Sequence, residues 1–498
     1  MPLRDTLRTA YDHLFKVLDS TPDIPSDNPK IIHRQLTSIG RFTMRSQTKE
    51  HPSIICFFVS LAHEEGNLLD IRDFRRAWKK RVIDQHERFH SRVCSTDDRY
   101  FEVVDQSLEE CITEAKHPTK ENMPSIIENR ILSPMDVTKT LWEIQLSSGP
   151  LGSSGCIPDV YIDPKEYLER ETVAIFRVHH SLGDGISMAV AVGDVCDEGK
   201  TLRDEMEREY RKHVHQDDDM VFIFSFILSL FKTLLYMIWF VFASVYALMR
   251  QFLRMVSSQN PFEPVLALSE LDYGRSVAWR PVASLYEMKN TVKRIHHKGT
   301  LNDLSVAMTS HAVMMQLHEH AKDKPVRVPK YVNISIPVHL NGGLLPPGEQ
   351  IGNKIGGLCA SIPFTLDNQP RKRLKVISNI LRREKMTPQP ILSYIMCRFF
   401  SDFAPDWLTK WSLRKFSANS VAVISNVRGW PFATHWLGKR VKFLTAFMPL
   451  PPGVPIGVMV QSYAGDISFS INADKRVVPD AEKFADWMLE EYKRLASE

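Results

Sequence analysis

The chain has 498 residues, 43% apolar and 24% charged, with a formal net charge of +4. That length exceeds one ordinary core and implies two large lobes, and so small a net charge does not point to nucleic acid as the main partner. The seven cysteines, Cys56, Cys94, Cys111, Cys156, Cys196, Cys359 and Cys397, are scattered and lack Cys-x-x-Cys spacing, which argues against a disulfide framework or a zinc knuckle and fits a reducing compartment.

Residues 1–30 read as a short amphipathic helix followed by a Pro/Asp/Ser linker, with charges throughout and no secretory signal. Residues 31–219 follow as a first lobe. Within it Asn67–Glu87 has Leu69, Phe74, Trp78 and Val82 at helical spacing. Its other face carries Arg75, Arg76, Lys79, Lys80 and Arg81; a solvated basic face is the ordinary explanation, and contact with phosphates or an anionic membrane the sharper one. Thr138–Leu146 is predicted as a strand and Ser147–Pro164 as a Gly/Ser/Pro loop.

Glu171–Ser187, ETVAIFRVHHSLGDGIS, is the stretch with most chemical content. A β-rich run ends in His179 and His180, then Asp184 and Gly185 precede a new apolar stretch, which predicts strand, tight loop, helix. Histidine is the side chain best suited to accept a proton near neutral pH, and a hydroxyl becomes a good nucleophile only as its proton is removed. Asp184 could orient the histidine or pin the loop; Gly183 and Gly185 would permit a tight turn and close approach of substrate. The bare His-x-x-x-Asp spacing is weak, since it recurs at His213/Asp217 and His215/Asp219. The doubled histidine, the trailing glycine and the position at a strand end are what make the loop specific; two structural histidines are the bland alternative.

Asp204–His215 is predicted as a charged helix. Residues 220–257 form a hydrophobic segment in which Met220–Met249 carries one charge, Lys232. As a helix that run would be about 45 Å long against roughly 30 Å of hydrocarbon, and the expectation is a membrane-associated helical insert. Residues 258–283 read as a linker and 284–498 as a second lobe. Its predicted elements are a helix at Thr300–His320, strands at Lys330–Val338 and Lys354–Phe364, a basic helix at Arg371–Lys385, four short strands at Val421–Val427, Val441–Phe447, Ile456–Ser462 and Asp466–Asn472, and a final helix to Ala496. His318-Glu319-His320 lacks metal-ligand spacing, and His296-His297 has no Asp-Gly behind it. Neither a Gly-rich phosphate loop nor a Gly-x-Ser-x-Gly elbow is present.

His179-His180-Ser-Leu-Gly-Asp184-Gly185 resembles the HHxxxDG signature of the wax ester synthase/diacylglycerol acyltransferase (WS/DGAT) family. Thr140-Leu141-Trp142 stands where that family has Pro-Leu-Trp, Asn302-Asp303 resembles its Asn-Asp motif, and Ile336-Pro337-Val338 and Gly352-Asn353 resemble its next landmarks. Ser425-Asn426-Val427-Arg428-Gly429 is similar to its Ser-Asn-Val-Pro-Gly, and Asp474–Asp480 to its closing segment. Arg428 and Thr140 depart from family prolines, which bears on local backbone shape.

The resemblance implies an α/β, two-lobed fold similar to the CoA-dependent acyltransferases, with mixed sheets and a central channel. It implies an acyl-CoA-dependent O-acyltransferase in which His180 deprotonates a long-chain alcohol or diacylglycerol, Asp184 holds the loop, and His179 is a neighbour that shapes it. Gly185, Asn302, Ser425 and Asn426 would shape the loop or channel, with shaping the channel and stabilising the oxyanion as the alternatives for Asn302 and the Ser425-Asn426 loop of the other lobe. No metal and no bound cofactor are expected; acyl-CoA is the co-substrate and membrane lipid the surrounding partner. Alternatives are an acyltransferase with another acceptor, such as a sterol or an amine, and a catalytically silent, membrane-anchored lipid or acyl-CoA binder. If both lobes build one site they must lie on one side of a membrane, so Met220–Met249 is expected as a re-entrant hairpin or interfacial helix, at the endoplasmic reticulum with both lobes cytosolic.

Overall fold

Two six-stranded mixed sheets, each covered by helices, organise the chain. The computed structural model describes residues 36–151 except 65, 66, 96 and 105, then 169–214, 239, 241–251, 253, 260–267, 273–323, 328–348, 351–364 and 369–497. The expected N-terminal helix of residues 1–30, and residues 220–238 and 240 of the apolar run, lie outside the described residues.

In chain order the first lobe contains helix α1 (Ser38–Ser46) and strand β1 (Ile54–Glu64), then helix α2 (Ile71–Trp78), which continues as a π-turn over Lys79–Ile83. Short strands β2 (Ser91–Val93), β3 (Phe101–Val103) and β4 (Ile112–Glu114) follow. After them come helix α3 (Met123–Leu132), strands β5 (Trp142–Leu151) and β6 (Glu169–His179), and helices α4 (Gly185–Val195) and α5 (Gly199–Val214). The helix expected at Asn67–Glu87 begins later because Asp70 caps it, accepting from the N–H groups of Arg72 and Asp73. Its basic face is partly used inside the protein: Arg75 donates to Ile112 O and Arg81 to Val195 O.

The second lobe contains β7 (Arg275–Ser284), α6 (Leu285–Ile295), α7 (Leu301–Asp323), β8 (Tyr331–His339), β9 (Ile355–Pro363), α8 (Pro370–Glu384), α9 (Gln389–Phe403) and α10 (Asp406–Ser417). It ends with β10 (Ser420–Val427), β11 (His435–Trp436), β12 (Lys439–Phe447), β13 (Ile456–Tyr463), β14 (Asp466–Asp474) and α11 (Ala481–Ser497). The segment expected as a linker up to residue 283 thus contains β7. It pairs antiparallel with β14 from Asp474↔Arg275 to Asp466↔Ser284 and buries Val277, Ala278 and Trp279.

The first sheet has the order β11-β12-β1-β6-β5-β4 and the second β7-β14-β13-β10-β8-β9. The lobes are therefore not two consecutive pieces of chain: β11 and β12, from the C-terminal half, complete the first sheet, with Phe58 of β1 opposite Thr445 of β12. Side-chain hydrogen bonds tie β12 and the chain just after it to the second sheet, Gln461 Nε2 donating to Leu444 O at 2.7 Å and Asn472 Nδ2 to Met448 O at 2.8 Å. An apolar cluster closes the seam, with Phe58, Ile127, Phe443 and Phe447 packed on Val277 and Trp279 of β7. Aromatics fill the first core, including Phe57 stacked on Phe176 at 4.4 Å, and α7 and α11 cover the second, where Leu304, Ala312, Phe469 and Met488 are fully buried or nearly so.

No helix among the described residues is long and apolar enough to cross a membrane. The described end of the apolar run, residues 241–251, is helical.

Candidate active site

β6 delivers the histidine pair. Val173–Val178 is rich in β-branched residues and apolar except for Arg177, as suits a strand buried on both faces, and its register places His179 opposite Ile54. His179 is completely buried. Its Nδ1 accepts the Ser181 backbone N–H at 3.2 Å, so the ring proton sits on Nε2, which donates to Gln47 Oε1 at 3.1 Å. Burial, aided by the neighbouring His180, pushes its pKa down to about 3. With both nitrogens engaged, His179 is a fixed neutral part of the loop.

His180 is half-buried. Its backbone is held at both ends: the N–H donates to Ser53 O at 2.8 Å, and the carbonyl accepts from Asn353 Nδ2 at 2.9 Å. The ring Nδ1 is buried without a hydrogen-bond partner. Desolvation lowers its pKa while the Asp184 charge opposes that shift, so the imidazole is neutral near pH 7 and can accept a proton.

Asp184 is buried and does not hydrogen-bond His180. It caps α4, Oδ1 accepting the Ser187 N–H at 2.9 Å, while Oδ2 accepts the Lys354 N–H of the other lobe at 3.1 Å. Its own N–H donates to Gly352 O at 3.0 Å, and Ser187 Oγ also donates to Gly352 O at 2.7 Å. Gly352-Asn353-Lys354 is therefore the clamp on which the His loop rests. Sequence reasoning marked Gly352-Asn353 as a landmark but did not foresee this contact.

It also missed His339, the residue after the Ile336-Pro337-Val338 landmark. His339 Nε2 lies 3.6 Å from Asp184 Oδ2, and its Nδ1 accepts the Gly343 N–H at 3.3 Å. Burial lowers its pKa, against the raising effect of Asp184.

The loop glycines serve packing. Neither Gly183 nor Gly185 has a positive φ, contrary to the tight-turn expectation. A Cβ on Gly183 would stand 2.7 Å from Ser187 Cβ, and one on Gly185 3.0 Å from Val427 Cγ2. The second contact brings the strand end Ser425-Asn426-Val427 against the start of α4. Asn426 is exposed and Ser425 half-buried. Asn426 Nδ2 donates to Asn302 Oδ1 at 2.5 Å, joining the two candidate motifs of the second lobe. Beside Gly185 and Val427 is an apolar cavity between the lobes, walled by Phe57, Met188, Leu444 and Met459.

The two departures from family prolines have partners. The Thr140 N–H, which proline would lack, donates to Gln106 Oε1 at 2.9 Å. Arg428 pairs with Glu209 of α5, one contact being 2.7 Å. Among the described residues no cluster of His, Cys, Asp and Glu could hold a metal ion.

The family model for the WS/DGAT C-terminal domain matches residues 351–496, which include the clamp and the Ser425-Asn426 strand end. Wax ester synthase/diacylglycerol acyltransferase 5 of Arabidopsis thaliana is 20% identical over 389 residues, 73% of each chain. Wax ester synthase/diacylglycerol acyltransferase 8 of the same plant is 20% identical over 456 residues, 84% of this chain and 88% of that protein. Among solved structures, the wax ester synthase/diacylglycerol acyltransferase of Marinobacter aquaeolei VT8 aligns with a TM-score of 0.56 at 16% identity, covering 93% of this chain and 100% of that one. A trichothecene 15-O-acetyltransferase of Fusarium sporotrichioides aligns with a TM-score of 0.55 at 13% identity, covering 92% and 95%. These structures share the two-lobed α/β acyltransferase fold. Residues 351–496 thus match the C-terminal domain of the wax ester synthase/diacylglycerol acyltransferase family, and the chain as a whole is similar in sequence and fold to members of that family.

Proposed function

We propose that this protein transfers a long-chain acyl group from acyl-CoA to the hydroxyl of a long-chain alcohol, of diacylglycerol, or of both. His180 takes the hydroxyl proton as that oxygen attacks the thioester carbonyl. The carbon–oxygen bond forms, the carbon–sulfur bond breaks, and the imidazolium returns the proton to the departing CoA thiolate. The thioester is already activated, so the reaction calls for no bound cofactor and no covalent enzyme intermediate. Asp184 acts through the loop it caps. Asn302 and Asn426 retain N–H groups that can donate to the developing oxyanion or line the channel, with Ser425 beside them.

The observation that carries this proposal is a histidine on a loop clamped by both lobes and followed by α4, whose first turn lines an apolar cavity that would suit an alkyl chain. The acceptor is not set by the fold, since the structurally similar Fusarium protein is a trichothecene acetyltransferase. The test is the product profile of cells that lack their own neutral-lipid synthesis and express this chain. Labelled wax ester, triacylglycerol or both supports the proposal. Product only with a sterol or amine moves the acceptor, and no product with any acceptor favours a silent lipid binder.

We further propose that Met220–Met249 anchors the protein without a single crossing. Residues on either side of that run share one sheet through β12 and hydrogen-bond across the His loop, so both lobes must lie on one side, expected to be the cytosolic face of the endoplasmic reticulum. In sealed microsomes, tags after residues 200 and 270 should be equally accessible to protease; opposite accessibility would refute the arrangement.

A further inference from the structure

Thirteen of the eighteen exposed large apolar side chains among the described residues fall in two stretches, 241–253 and 386–411. Scattered exposed apolar residues are ordinary; contiguous ones mark an interaction surface. On α9 the exposed set is Ile395, Phe399 and Phe403, the last two 57% and 78% exposed, at successive i, i+4 positions on one face. The other side of the helix holds Tyr394 and Ser401, both buried. On α10, Trp407 and Trp411 are 68% and 50% exposed. Lys410, Arg414 and Lys415 are exposed at positions interleaved with them. Phe399 contacts Phe403 at 5.7 Å, so the stripe is continuous along α9 and runs on toward α10.

Two observations say what covers this face. The two stretches meet: Arg250 pairs with Glu384, which also accepts from Gln389 Nε2 at 2.6 Å at the start of α9. The described end of the apolar run, with Phe242 71% and Val245 60% exposed, therefore lies beside the head of α9. The second observation is composition. Tryptophan interleaved with lysine and arginine on one helical face is the pattern that settles at a lipid–water boundary, rings among the headgroups and cations against anionic lipid. The nearby acids are already engaged, Asp406 with Arg45 at 2.6 Å and Asp402 with Arg398 at 3.5 Å.

We propose that the Phe399–Phe403 stripe of α9 and the Trp407–Trp411 face of α10 form an interfacial docking surface for an anionic lipid layer, distinct from the apolar run. The surface is coupled to the active-site loop by one helix. Arg41 and Arg45 of α1 donate to Ser401 O and Ala404 O of the α9 end, each at 2.7 Å for the contacts with Arg41 Nη1 and Arg45 Nη2. Gly40 of the same helix lies so close to the His loop that a Cβ there would stand 2.7 Å from Ser181 O. Docking through α9 and α10 sets the orientation of the site relative to the lipid. This inference does not rest on the acyl-transfer proposal, and its test reads no activity.

The test uses the full chain on phosphatidylcholine vesicles, with and without phosphatidylserine, whose acyl chains are brominated to quench nearby tryptophan. Of the remaining tryptophans Trp78, Trp142, Trp279, Trp430, Trp436 and Trp487 are buried, so the quench lost in Trp407→Phe/Trp411→Phe isolates the two surface rings. The expected result is a quench on phosphatidylserine vesicles that falls in that double variant and in Lys410→Glu/Arg414→Glu/Lys415→Glu. Equal quench in wild type and the double phenylalanine variant would overturn the proposal. So would shielding of the two rings from acrylamide without lipid, which assigns the face to a second copy if the protein sediments as a dimer and to its own chain if it sediments as a monomer.

Discussion

Asp184→Asn separates a carboxylate that holds the loop from one that acts directly on the histidine. Asparagine keeps Oδ1 for the Ser187 N–H but turns an NH₂ group toward the Lys354 N–H, so the 3.1 Å bond between the lobes is lost. A hydrogen bond to an ionised acceptor contributes about 1.5–3 kcal/mol, and losing the negative charge at the head of α4 removes about 0.3–1 kcal/mol more. The sum is on the order of 2–4 kcal/mol. With an unfolding entropy of roughly 2 cal/mol/K per residue, that corresponds to a fall in Tm of about 2–4 °C if the lobes melt together. Asp184 also raises the pKa of His180 against desolvation. A base must be neutral to act, so removing that charge shifts the acid limb of kcat/KM to lower pH. Differential scanning fluorimetry and a pH–rate profile measure the two effects. An unchanged Tm together with activity as low as that of His180→Ala would refute the loop-holding role, and an acid limb displaced to higher pH would refute the electrostatics.

Gly429→Ala should be destabilising by about 1–3 kcal/mol, because its Cβ would collide with Ser462 O; a Tm equal to wild type would show that β10 and β13 part more easily than this packing implies. Arg428→Ala should cost no more than about 1 kcal/mol, since its pair with Glu209 is half exposed, and a larger loss by thermal melting would contradict that. Burial, chiefly, holds His179 down to about 3 and His51 down to about 4. Each folded pKa is below the unfolded value near 6.5, so the unfolded chain binds more protons below that pH and stability falls as pH drops. Two such groups give a slope of about 2.7 kcal/mol per pH unit between roughly pH 5.5 and 4.5. A Tm that is flat from pH 6.5 to 4.5 would contradict it.

What was legible in the sequence was local. The β-rich run Val173–Val178 and the break at Gly183-Asp184-Gly185 predict strand, loop and helix, and the structure has them. The helical spacing of Leu304, Ala307, Met308, His311, Ala312, Met315 and Leu317 predicts the buried helix α7. β7 was missed because Pro281 interrupts its pattern, yet Pro281 is tolerated on this edge strand, next to the bulge at Ile467/Ser468. α9 was missed because it is apolar on two faces, one packed inward and one exposed, so no single stripe marks its period. The crossing of β12 into the first sheet and the grip of Asn353 and Lys354 on the His loop are contacts far apart in sequence. Periodicity along the chain carries no trace of them.

The most direct test of the central claim is a microsomal assay with labelled palmitoyl-CoA, offering hexadecanol or diacylglycerol to wild type and to His180→Ala. Alanine removes the ring but leaves the backbone bonds to Ser53 and Asn353 intact, so folding should survive. If His180 is the general base, ester formation falls by about 10²–10⁴-fold with either acceptor while Tm stays close to wild type. Equal product from a folded variant would contradict the account.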